Sequence, residues 1–456
     1  MKVLLAGYNV DASLLGDDDR LTPETISAAY ARISRSARSV DALRRKSLSE
    51  VAKARSSNQQ IVFEMGHSSV AEHAVFNFDI IGVSRLLAEW IQRSRLASFT
   101  EKSQRYVTLK GDWVCPPEVK GTPLEGELAA LVERQNELYV ALHRKALEYL
   151  LASDCGQSER EKDGRAREDA RYVLSLATQT QMGMTLNARS LQRLLRRLDR
   201  CPLAEAHALR RQLEDAATAV APSLVRYTSS DDFERGVYAA AKPVASVKPG
   251  VHLLQAPAHA DEDILTALLY ERGEGEWQDL HQQVHSMAAA HREQIFEQLF
   301  SSMKPWSTMP RAFETAVFRF EVACSSSCFA QLKRHRMASL LLGGRSDAIV
   351  VPPLLARLGL QHEWATLRAD CASLAARLDE QLPGLGDYAR TNAHVIHLVM
   401  QANLRELHHF SRLRSDRHAQ WEVRRVSKQI DTLVRASAPL AARWMMGKHE
   451  LENVRA

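Results

Sequence analysis

"EHAVFNFDIIGVSRLLAEWIQRSRLAS", residues 72–98, and "ETAVFRFEVACSSSCFAQLKRHRMAS", residues 314–339, are two versions of one segment, the second a residue shorter. Each opens on apolar and polar positions alternating at period two, the pattern of a half-buried strand. In the first copy Val83, Leu86, Leu87 and Trp90 then fall at helical spacing, an amphipathic face that runs into a cluster of arginines. The same face of the second copy reads Cys324, Ser327, Cys328 and Gln331. Further along, "MTLNARSLQRLLRRL" (184–198) aligns with "MQANLRELHHFSRLR" (400–414), setting Asn187 against Asn403 and Arg189 against Arg405. Self-similarity at this spacing predicts two related units. We place them at 1–232 and 233–456, with the seam inside 227–250, where Ser, Pro, Gly and charges interrupt any period.

Each unit alternates strand-like and helix-like stretches, so the expected class is α+β. Leu191, Leu194, Leu195 and Leu198 predict a core helix, as do Val395, Leu398, Val399 and Ala402. Residues 152–170 read as a loop without a counterpart in the second unit. "RLLRRLDR" (193–200) reads as a solvated helix face, Trp421 as core and Glu422 as the edge of a helix.

The chain has 456 residues, 45% hydrophobic and 25% charged, which is long enough for two buried cores. Its apolar runs are short and no secretory leader is recognisable, so the sequence predicts a cytoplasmic protein without a membrane partner. A net charge of +5 fits a small anionic ligand at a local patch and argues against a nucleic-acid track. Cys115, Cys155, Cys201, Cys324, Cys328 and Cys371 are scattered without a CxxC pair, and His67 and His73 do not share a helical face. No metal site is expected, and the cysteines read as free thiols.

Chemistry concentrates in "QRSRLASFTEKSQRYV" (92–107) and its diverged partner "KRHRMASLLLGGRSDA" (333–348). Guanidinium groups are always charged and carry five donors in a planar fork, which suits phosphate and other anionic or carbonyl-bearing ligands. Together with "GHSSVAEHAVFNF" (66–78), "AREDARYVLSLATQTQMGMTLNARSL" (166–191) and "NLRELHHFSRLRSDRHAQWEVRR" (403–425), these stretches resemble the flavin-dependent thymidylate synthases. That family's signature is Arg-His-Arg, a Ser three residues on, and then Ser-x-Arg-Tyr.

The resemblance implies FAD as cofactor, NADPH and methylenetetrahydrofolate as co-substrates, and C5 methylation of a pyrimidine nucleotide, by default dUMP. It also implies two tandem domains arranged as a pseudo-dimer, with a homodimer of the chain taking the place of the family's homotetramer. The two copies depart from the signature in opposite ways. The first replaces the central His by Ser94 but keeps Ser103, Arg105 and Tyr106; the second keeps Arg334, His335 and Arg336 but then reads Gly344, Ser346 and Asp347.

By the resemblance, Glu101, Ser103, Arg105, Tyr106 and Arg171 of the first copy and Gln331, Arg334 and Arg414 of the second bind the nucleotide. Arg105, Arg334, Arg414 and His67 would carry catalysis. Ser69, Asn187, Arg189, His335, Arg336, Asn403, Arg405 and His409 would hold the cofactor. Where the first copy has Arg171, counting back sixteen residues from Asn403 reaches Asp387, and a small gap would bring in Arg390. Thr100 and Leu341 stand where the family has Asn, which leaves UMP or CMP open as acceptor. A catalytically inactive flavin- or nucleotide-binding protein is the reading from another class.

Overall fold

The computed structural model describes residues 1–14, 22–105, 107, 111–153, 156–237 and 248–455. Tyr106, Cys155 and part of the expected seam therefore lie outside the described residues. Two compact units emerge, Met1–Ala241 with Pro352–Asn392, and Lys242–Val351 with Ala393–Ala456.

The first unit holds strands β1 (Lys2–Tyr8), β2 (Val75–Ser84), β3 (Ala97–Glu101) and β4 (Gln179–Asn187) in an antiparallel sheet ordered β1-β2-β4-β3. The second holds β5 (Gly250–Gln255), β6 (Val317–Ser325), β7 (Ser339–Ile349) and β8 (His394–Asn403), ordered β5-β6-β8-β7. With helices around both sheets, the class is α+β.

The repeat holds to the level of register. Val75 pairs with Asn187 as Val317 pairs with Asn403, and Ser98 with Thr185 as Ser339 with Gln401. The extra residue of the first copy is taken up by a bulge between Ile81 and Val83, where Gly82 adopts φ +76°, a conformation costly for a residue with a Cβ. Alternation buries Phe76, Phe78 and Ile80 in one sheet and Phe318, Phe320 and Val322 in the other. Each such side chain contributes roughly 1.5–3 kcal/mol of burial.

Four expectations need correction. Val395, Leu398, Val399 and Ala402 belong to β8, a strand: a continuous apolar run satisfies helical spacing by chance, and buried strands show no alternation. Val83 likewise ends a strand, and the helix it was assigned to starts at Arg85. Residues 159–170 form a helix, opened by a capping box in which Ser158 and Glu161 satisfy each other's backbone N–H groups. Arg196, Arg197 and Arg200 are not a solvated face. They are half-buried and tied to Asp231 and Glu234 (2.9–3.1 Å) and to Ser94 Oγ (3.0 Å).

The compact units also cut across the sequence repeat. The segment 352–392 follows β7 in sequence yet packs in the first unit, where helix Gln361–Gln381 lies against helix Pro123–Ala152. Gln135 Nε2 donates to Ala389 O (3.0 Å), Arg134 pairs with Asp370 (3.0 Å) and Arg377 with Glu127. Beside them Leu174–Leu176 and Arg390–Asn392 pair in a short antiparallel ladder: Asn392 N donates to Leu174 O and Leu176 N to Arg390 O, both at 2.9 Å. Its central residues, Ser175 and Thr391, are equally far from Asn187 and Asn403. Arg171 and Asp387 are thus matched positions without a gap, and Arg390 is neutralised by Asp387 (3.0 Å) and Asp379 (3.4 Å).

Candidate functional site

In both copies the helix that follows the central strand is held at its start by the same device. Ser84 caps helix Arg85–Ile91 by accepting from Leu87 N, and Ser325 caps helix Ser326–Leu332 by accepting from Cys328 N. A buried glutamate clamps each cap. Glu205 accepts from Ser84 N (2.7 Å) and Oγ (2.6 Å), and Glu422 from Ser325 N (2.9 Å) and Oγ. Glu422 stands at a helix edge as expected, in the first turn of helix Trp421–Ser437, but it is fully buried, whereas Trp421, expected as core, is half-buried; the apolar periodicity around them gives no sign of a buried acceptor. Burial pushes the Glu205 carboxyl up, although Ser84 and Tyr388 (Oη 2.5 Å) donate to it.

These caps aim two unlike clusters. In the first unit Arg85, in the first turn of its helix, forms a buried ion pair with Glu101 at the end of β3. Gln92 Nε2 (2.8 Å) and Thr180 Oγ1 (3.2 Å) also donate to Glu101. Arg105 pairs with Glu168 at 2.5 Å, and its backbone N–H donates to Ser103 Oγ (3.2 Å). Arg171 is buried, donates through Nε to Glu168 O (3.3 Å), and keeps its Nη2 without a partner among the described residues. Burial lowers its pKa, Glu168 offsets this, and Arg105 and Arg85 add to the lowering.

Among the described residues, Arg85 and Arg105 are each paired with a carboxylate while Arg171 keeps a buried donor, an arrangement that suits an anionic ligand. Glu101, Ser103, Arg105 and Arg171 lie in this cluster. Arg85, Gln92 and Glu168 were missed. Arg85 could have been found from the repeat itself, since its matched residue is Ser326 and an arginine beside an apolar helix face needs a partner.

In the second unit His335 is buried between two partners: its Nδ1 lies 3.0 Å from Glu406 Oε1, and Arg414 Nε donates to its Nε2 at 2.9 Å. An Nε2 that accepts and an Nδ1 facing a carboxylate define a neutral ring with its proton on Nδ1. The lowered pKa of His335 agrees: burial is the largest cause, Glu406 opposes it and Arg414 reinforces it. Arg414 also reaches Gln331 O (3.4 Å), while Gln331 Nε2 is buried with no partner among the described residues. Arg334, Arg336 and His409 are exposed, and the His409 ring lies 5.8 Å from that of His335. His408 is buried, with Nε2 donating to Ala441 O (2.9 Å).

The remaining expected residues form matched pairs. Asn187 and Asn403 cap their helices through Oδ1, accepting from Ser190 N (2.8 Å) and Glu406 N (2.9 Å). Arg189 pairs with Glu72, and Arg405 with Glu314 (2.7 Å) and Met309 O (2.9 Å). Arg189 thus ties the helix start to the 3-10 turn Ser68–His73, which carries Ser69 and begins just after His67, both exposed. Among the described residues there is no group of His, Cys, Asp and Glu that could hold a metal and no helix able to cross a membrane.

Two copies of one α+β unit, each with an arginine-rich cluster at the end of the same capped helix, define the class of protein. The chain belongs to the Thymidylate synthase complementing protein family, whose model matches residues 18–223 and 252–440. It is 36% identical over 170 residues to the flavin-dependent thymidylate synthase of Geobacter sulfurreducens, covering 37% of this chain and 66% of that protein, just under two thirds of its length. It is 32% identical over 211 residues to the flavin-dependent thymidylate synthase of Clostridium tetani, covering 45% of this chain and 82% of that one. Similarity to the UPF0159 protein Ta1429 of Thermoplasma acidophilum is lower, 24%, but runs over 435 residues, 84% of this chain and 87% of that protein. A second protein therefore matches both repeats together.

Proposed function

We propose that this chain is a flavin-dependent enzyme that methylates C5 of a pyrimidine nucleotide, dUMP by default, with methylenetetrahydrofolate as carbon donor and NADPH as reductant. The observation that carries this reading is the unequal survival of the family's residues. The first repeat retains an arginine cluster with a spare guanidinium donor on Arg171, and the second retains Gln331, Arg334 and Arg414. Pooled, they complete one nucleotide site. The reading takes the repeats, 1–232 and 233–456, as a pseudo-dimer. The ladder that pairs Ser175 with its own counterpart Thr391 supports it, because contact between matched residues is what a two-fold axis produces.

Arg105, Arg171 and Arg414 would bind phosphate and stabilise charge on the uracil ring as C5 attacks the one-carbon donor. Arg334 would join them. Ser103 and Tyr106 add hydroxyl donors, and Glu101 holds Arg85 and Gln92 in place. His335 gives both ring nitrogens to protein partners, so it would act by fixing Arg414. FAD would fit the second unit's exposed Arg336 and His409 and half-buried Arg405, with Asn403, Asn187, Arg189 and Ser69 as further contacts and His67 beside the folate. Bound FAD would supply the hydride chemistry that no side chain can. Leu96 and Met337, at matched positions, are 62% and 67% exposed, which favours burial in a homodimer of the chain.

The test is to purify the full chain, record its flavin spectrum, and assay dTMP formation with NADPH and methylenetetrahydrofolate. Failure to take up FAD would end the proposal. A second acceptor, UMP or CMP, is favoured by Leu341, 67% exposed at the end of the cluster where the family carries a polar Asn. Calorimetry with dUMP, UMP and dCMP separates the two. An inactive binding protein would take up FAD yet form no methylated product from any of them.

A further inference from the structure

We propose that Asn392 is a positioning residue for the nucleotide cluster of the first unit, a role that rests on the function proposed above. Its side chain is 1% exposed, and an amide buried this deeply needs partners for both N–H groups. Both are used on the cluster's frame. Nδ2 donates to Gln104 Oε1 (3.0 Å) and to Arg171 O (3.0 Å).

Gln104 lies between Ser103 and Arg105, so one amide joins the loop that carries Arg105 to the turn that carries Arg171. Asn392 is itself fixed, since its backbone N–H donates to Leu174 O in the ladder. The matched residue of the other repeat is Leu176, which has no side-chain donor. The second repeat thus contributes, through its displaced segment 352–392, a clasp for the arginines of the first. Asn392 touches neither guanidinium. Its effect is to set the separation of Arg105 and Arg171 before ligand arrives, which lowers the ordering cost of binding.

The test uses the full-length flavin-loaded chain with Asn392→Leu, Gln104→Ala and the double variant. Each single change raises KM for dUMP about tenfold with kcat within about twofold, the size expected for loss of a buried hydrogen bond. The flavin spectrum stays unchanged. The double variant is no worse than the stronger single, because both remove one link. Unchanged KM in Gln104→Ala, or effects that multiply to about a hundredfold in the double variant, overturns the proposal.

Amide hydrogen exchange on the unliganded chain separates this from the function itself. Asn392→Leu speeds exchange in the 102–105 loop at least about tenfold, with the rest of the chain unchanged. Equal exchange in that loop overturns the clasp. Absence of dUMP binding by the unaltered chain overturns the assigned substrate and leaves the clasp to be decided by exchange.

Discussion

The two arginine-rich regions begin as one structure and end as two. Both follow a central strand, a serine cap and a glutamate clamp, and their sheets share one order and register. In the first, guanidiniums are held by carboxylates: Arg85 by Glu101 and Arg105 by Glu168. In the second, Arg414 is held by a neutral histidine whose other nitrogen meets Glu406. The shared parts are those that make a fold. The differing parts of the two clusters are the charged groups at the far end of each capped helix.

The largest test of that contrast is loss of the arginines. Arg105→Ala, Arg171→Ala and Arg414→Ala each lower kcat/KM by at least about a thousandfold, because each removes a preorganised cation. FAD remains bound in all three. If only one repeat's arginines mattered, the contrast would reduce to one active and one idle region.

The clamps sharpen the comparison from the side of stability. Glu205→Ala and Glu422→Ala each cost about 2–4 kcal/mol in urea unfolding, since each leaves a buried cap serine and backbone N–H without an acceptor. The Glu205 change costs more, because it also strands the Tyr388 hydroxyl.

Acid and base act on the second unit with opposite sign. Burial raises the Asp431 pKa to about 6, so the stability it contributes is complete below the usual carboxylate range and is lost as pH rises through about 6. Asp431→Asn, which keeps acceptors for Ser411 and Ser415, is expected to gain roughly 2–3 kcal/mol over the unaltered chain at pH 8 and almost nothing near pH 4. Burial lowers His408 to about 4, so stability falls from pH 6.5 downward as the unfolded chain takes the proton, and the loss is complete near pH 4. Thermal unfolding across this range checks both. The smallest effect is at the matched ion pairs: Arg189→Ala and Arg405→Ala should cost similar amounts, at most about 1 kcal/mol each, since both pairs are partly exposed.

The duplication and the strand-to-helix order were legible in the sequence, because period-two alternation and a repeated motif encode them directly. The grouping of Glu101, Ser103, Arg105 and Arg171 came only through the family resemblance. The helical reading of Val395 to Ala402 failed because an all-apolar stretch fits both periods. The partners Glu168, Glu205 and Asn392 were hidden for another reason: their meaning depends on contacts made across sequence separations of 63, 121 and 288 residues. No local pattern records a partner at such distances. The packing of 352–392 in the first unit was illegible for the same reason, since a repeat reveals which segments match and not which copy each one packs against.

The central claim is that two unequal repeats make one nucleotide site per chain. Calorimetric titration of the flavin-loaded protein with dUMP measures this directly. The account predicts a stoichiometry near one per chain, abolished alike by Arg171→Ala and Arg414→Ala. A stoichiometry near two, with each substitution removing only half of the binding, would contradict it.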